Sequence, residues 1–141
     1  MMRWKYAVTG LVLAAAPAAF AQPDHRQLVE LPPMMQQHML MNMRDHLATL
    51  DEILAALAAN QPDKAAELAE RRLGMSSLAS HGAEHMAPHM PQEMREIGTG
   101  MHRAASRFAL TAQEGDLLRA YAALRNVTAS CVACHEAYRI R

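Results

Sequence analysis

Aromatic side chains are scarce in this chain: one Trp, three Tyr and two Phe among 141 residues. β-Branched residues are few as well, while Ala, Leu and Met abound. Such a chain favours helix and disfavours sheet. Net charge is also absent, since 14 Lys and Arg balance 14 Asp and Glu. Nucleic acid needs clustered positive charge, so that class of partner is excluded. Beyond the N-terminal segment no apolar run is long enough to span a membrane. Cysteine is nearly missing: the chain has two, Cys131 and Cys134. A zinc site built from about four N/S ligands therefore lacks its second thiol pair.

What is present begins with a leader-like segment. Arg3 and Lys5 precede an apolar run from Ala7 to Ala19, followed by the small-x-small pattern Ala19-Phe20-Ala21. That is the pattern of a secretory signal peptide cleaved after Ala21. Residues 1–21 are expected to be the signal and 22–141 one domain, exported to the periplasm and without a membrane span. The leader carries two of the basic residues, which leaves the mature domain at a net charge of −2. An exported domain meets an oxidising space, where free thiols do not persist.

Four helices are predicted. The first opens at Pro32-Pro33, where missing N–H groups cost nothing. It carries apolar positions at 39, 43, 46/47, 50, 53/54 and 57 and ends near Asn60. The second is capped by Asn60 or Gln61, has Pro62 in its first turn and runs to about Ser80. Gly82 and Pro88 interrupt the connection that follows. The third runs from Pro91 to about Ala109. The fourth starts at a capping box of Thr111 and Glu114. Its stripe is Leu117, Tyr121, Leu124, Thr128, Cys131, His135 and Tyr138, which places Cys131 and His135 inward and Cys134 at the edge. Short links between four amphipathic helices imply an all-α, antiparallel up-down-up-down four-helix bundle. "ERR", Glu70 to Arg72, reads as a solvated helix face.

The two cysteines stand in "SCVACHEAYRIR", residues 130–141. A thioredoxin-like redox pair would accompany a βαβ pattern, which is missing. A disulfide between residues three apart closes a tiny loop and contributes little. C-x-x-C-H is the attachment string of c-type haem. One helical turn offers both sulfurs and the imidazole to one macrocycle, because positions i, i+3 and i+4 share a face. One covalent haem c is therefore expected.

The run Cys131-Val132-Ala133-Cys134-His135-Glu136-Ala137-Tyr138-Arg139, near the C-terminus of an exported four-helix chain, resembles the class II c-type cytochromes, the cytochrome c prime family. The resemblance implies haem thioethers at Cys131 and Cys134, with His135 as the proximal iron ligand. Tyr138 and Arg139 would form the haem environment. It also implies that the sixth iron position is met from the start of the first helix, "MMQQHMLMNMRDHL". Met39 lies on the inward stripe and is the first candidate, with Met35 and His38 behind it. A thioether there makes an electron carrier working with redox partner proteins. An apolar residue there makes a five-coordinate binder of NO or CO. Neither is an enzyme, and no acid–base or nucleophile constellation is apparent. Homodimers are a further implication of the resemblance. The Arg that the family places in the first helix has no counterpart here; Gln36 and Gln37 stand near its place.

One more segment carries ligand chemistry. In "SHGAEHMAPHMPQEM", His81, His85 and His89 are four apart, as are Met86, Met90 and Met94. Imidazole and thioether suit copper, which makes segment 81–94 a copper-site candidate. The plainer reading is solvent-facing His and buried Met at a bundle corner.

Overall fold

The computed structural model describes residues 23–141, so the expected leader at 1–21 lies outside the described residues. The elements are β1 (Gln27–Leu28), α1 (Pro33–Ala58), α2 (Pro62–Arg72), α3 (Ala83–Met86), α4 (Gln92–Gln113), α5 (Leu117–Ala137) and β2 (Tyr138–Arg139). Single 3-10 turns stand at Met75–Ser77 and Ala87–His89. The fold is all-α. Helix α1 packs on α2, α2 on α4, and α4 on α5.

The main core lies among these four helices. Ile53 and Leu57 from α1 meet Ala65, Ala66 and Ala69 from α2, Phe108 and four alanines from α4, and Ala120, Leu124 and Val127 from α5. Alanine at the contacts lets the helix axes approach closely, and Phe108 fills the space between them. A second cluster sits beside the C-terminus. It contains Val29, Met39, Met86, Met94 and Tyr138, with Met43 and Cys134 packed against it.

Two boundaries and one helix phase differ from the sequence expectation. The second helix stops at Arg72, not near Ser80. Glu70 folds over the exit: its carboxylate accepts from the Ser76 backbone N–H at 3.2 Å and from the Ser76 hydroxyl. A Cβ at Gly74 would fall 2.5 Å from that carboxylate. Arg72 is no solvated residue either; it reaches Glu52 of α1 at 2.7 Å and also pairs with Asp45. At the far end, α4 continues to Gln113 because Ala112 is buried in the core. Thr111 thus lies inside α4 and forms no capping box. The true N-cap of α5 is Asp116, whose carboxylate accepts from Arg119 N at 3.1 Å. Gly115, at φ 81°, makes the preceding turn. Asp116→Ala is expected to cost about 1 kcal/mol of unfolding free energy, measurable as a lower urea midpoint.

The third difference is the phase of α5. Its buried face is Ala120, Leu124 and Val127, continued by half-buried Cys131 and Cys134. Tyr121 is exposed, and so is His135. The inward seam therefore carries Cys134 in place of His135. Tyr138 leaves the helix altogether, with φ −129° and ψ 152°. It pairs in parallel with Gln27, as Arg139 does with Leu28. Val29 N donates to Arg139 O at 2.8 Å, so the N-terminal segment straps the end of the chain. Among the described residues no helix is long and apolar enough to cross a membrane.

Candidate functional site

A cavity of about 660 Å3 opens between the start of α1, the 78–90 connection, α4 and the end of α5. That is within the roughly 300–1,000 Å3 of a ligand or cofactor pocket. Its apolar wall includes Met39, Leu40, Met43, Met86, Met90 and Met94, and Cys134 and His135 stand on the α5 side. Arg26, Arg95, Arg139 and Arg141 also line it. The composition suits a flat apolar macrocycle carrying acidic arms. One atom makes that fit specific: Arg139 Nε is buried and has no hydrogen-bond partner among the described residues. The Asp24 carboxylate lies 3.5 Å away, too far to satisfy it well. A propionate is the kind of acceptor this guanidinium lacks.

The structure brings several expected residues to this cavity. Cys134, His135, Tyr138 and Arg139 all line it, although His135 is the exposed member. Cys131, one turn back, is half-buried against the main core, and its thiol donates to Val127 O at 3.5 Å. Burial raises the pKa of both thiols, and repulsion from Cys131 adds to the rise at Cys134. They lack the thiolate character of a redox-active pair. From α1, Met39 is buried and lines the cavity. Met35 is half-buried and is not part of the lining. His38 is turned toward the 81–82 turn, its Nε2 3.0 Å from His81 O. Gln36, near the place of the missing arginine, donates from its amide to Ile140 O and ties α1 to the C-terminal strap.

The His/Met segment divides. His85 and His89 face solvent, while Met86 and Met94 are buried and Met90 half-buried. His81 turns inward, away from its two sequence companions, and meets His46 of α1 and His102 of α4. The three ring centroids are 4.7, 5.4 and 6.0 Å apart. All three rings line the cavity. Burial is the first cause of a lowered pKa at each; for His46 it acts together with His81 and His102 and brings the value down to about 4. Burial thus disfavours the charged form of each ring. The sequence showed His46 on an apolar stripe and gave no sign of His102. Nothing in their spacing shows that a turn 35 residues beyond His46 closes the group.

An all-α chain with C-x-x-C-H beside a Met-lined cavity has the makeup of a c-type haem protein. A family model described as Cytochrome C' matches residues 34–139. The chain belongs to the cytochrome c' family, whose members are haem-binding c-type cytochromes. Comparison with curated proteins finds no match, and neither does comparison with solved structures.

Proposed function

We propose that this protein is a periplasmic electron carrier, with one haem c joined to Cys131 and Cys134 and its iron held by His135 and Met39. The four long helices are read as an antiparallel bundle. The observation that carries the reading is the cavity itself. It sets Met39 on the same wall system as Cys134 and His135, although the two segments lie almost a whole chain apart. The haem, when bound, would supply a one-electron iron couple, and a thioether ligand would raise its potential. The rest is the work of the chain. Met43, Met86 and Met94 exclude water with soft, polarisable side chains. Arg139, paired only loosely with Asp24, would offer its Nε to a propionate, and the strap from Asp24 to Val29 holds Tyr138 and Arg139 in place. The exposed apolar groove of about 730 Å3 lined by Leu47, Leu50, Leu54 and Tyr121 supports a second copy or a redox partner docking on α1 and α5.

The test is Met39→Ala in the haem-loaded protein. The ferric spectrum is expected to change from six-coordinate low spin to five-coordinate high spin, with CO then binding the ferrous form readily. If the unsubstituted protein is already five-coordinate and takes CO or NO without losing a protein ligand, the gas-binding reading replaces the carrier.

A further inference from the structure

We propose that Gly98 of α4 is a haem contact whose missing side chain sets the room the cavity gives to the macrocycle; the assignment rests on the haem reading of the cavity. Glycine inside a helix is costly, because it orders the freest backbone and packs no side chain. Two local causes commonly require it, and neither holds at Gly98. The first is a left-handed backbone, but the positive-φ glycines are Gly82 and Gly115. Gly98 lies well inside α4. The second is close packing against another element. A Cβ built at Gly98 would meet no packed neighbour within 4 Å. Helix packing therefore does not need a glycine there.

What lies over Gly98 is the cavity. It is the one glycine among the described residues that line it. Met94 stands one turn before Gly98, Met101 and His102 one turn after, and all three line the cavity too. Positions i−4, i+3 and i+4 share a helix face. Gly98 is thus a notch in a wall of longer side chains, and it opens the α4 backbone to the cavity. Met94 and Met101 are buried, so packed side chains hold both ends of the notch. A rigid flat group can come to van der Waals contact with the backbone there, at about 3.5–4.0 Å. Any side chain at this position would hold it away. Close approach of backbone to a ligand is a use of glycine that repays its cost in helix stability.

Gly100 supplies the contrast within the same helix. A Cβ there also meets nothing within 4 Å. Gly100 does not line the cavity, however, and Glu96 and Arg103, one turn away on either side, are exposed. The two glycines share a backbone cost and differ in what faces them.

The experiment uses the haem-loaded protein, reduced and under carbon monoxide, which is diamagnetic whether Met39 or the gas holds the sixth position. Nuclear Overhauser contacts are expected between the Gly98 α protons and protons of the haem periphery, and none at Gly100. Gly98→Leu is expected to lower covalent haem per chain severalfold, because an overpacked site must shift its occupant or its walls. Gly100→Leu is expected to keep the haem content of the unsubstituted protein. A smaller pair of variants separates the cofactor from the helix. Gly100→Ala is expected to raise the urea midpoint, since alanine is the better helix former, and to leave the Soret band unmoved. Gly98→Ala is expected to move the Soret band and to lack that gain. Absence of Overhauser contacts at Gly98 in a haem-loaded chain overturns the assignment and leaves the haem reading standing. Equal midpoints with unmoved Soret bands in the two alanine variants overturn it too. A chain that carries no haem overturns both. The Overhauser measurement needs no variant, so it holds even where Gly98→Leu impairs folding.

Discussion

Replacing Cys131 and Cys134 together by Ala is expected to abolish covalent haem retention. Haem-linked peroxidase staining should disappear from a denaturing gel, and acid–acetone should extract any residual haem completely. Both thiols sit on the packed side of α5, one turn apart, and Cys134 lines the cavity, so a group joined to both would lie against that side of the helix. Single replacement should leave one thioether and a partly retained haem. His135→Ala should keep both thioethers, because it removes an iron ligand and no point of attachment. The cavity surface is mostly apolar and includes six methionines, so without its occupant it is poorly filled. The double variant is therefore expected to unfold at a lower temperature as well, since a ligand that binds only the folded state stabilises it by mass action. Haem that stays with the chain after denaturation of the double variant would sink the attachment reading.

Much of this arrangement was legible because it is local. The Pro32-Pro33 start, the positions of Met39, Ile53 and Leu57, and the C-x-x-C-H string all depend on residues within a few turns of one another. The phase of α5 was not legible from the same pattern. The expected stripe through Leu117, Tyr121 and Leu124 and the observed one through Ala120, Leu124 and Val127 share Leu124, and both satisfy spacings of three and four. Side-chain size favours the first, but the alanine-lined surface of α4 selects the second, because close helix contact needs small residues. Tertiary fit therefore decided whether Cys134 or His135 faces the core. The same holds for the helix ends. Thr111 and Glu114 have the spacing of a capping box, yet the buried Ala112 carries α4 past Thr111 to Gln113. The histidine cluster was hidden for a different reason. Its members are scattered over three segments, and each one alone resembles an ordinary polar residue on an apolar face. Only the turn at Gly74 and the inward swing of His81 bring them together. Tyr138 illustrates a third kind of concealment. Its place in the heptad stripe predicts helix, but pairing with Gln27 pulls it into an extended strap.

Phe108→Ala is expected to be the most damaging substitution outside the haem site, lowering the unfolding free energy by about 3–5 kcal/mol. Phe108 is fully buried, and its surroundings are unusual for so large a side chain. Ala65, Ala66 and Ala69 on α2, Ala104, Ala105 and Ala112 on α4, and Ala120 on α5 share its cluster. Alanine has no rotamers with which to close a gap, so the void can be filled only by moving helices. Those movements are opposed by the Arg72 ion pairs between α1 and α2 and by the close contact of α4 with α5. The cost of a large-to-small change rises with the cavity that remains, which places this site toward the upper end of the range. Leu47→Ala supplies the contrast. Leu47 is 70% exposed, and its loss is expected to change stability by no more than about 0.5 kcal/mol. Urea unfolding of the two haem-loaded variants, followed by circular dichroism at 222 nm on the order of micromolar protein, separates them by midpoint at an unchanged slope. Near-equal midpoints would mean that the alanine-lined layer collapses freely around the void, and that the core is held by the haem cavity rather than by Phe108.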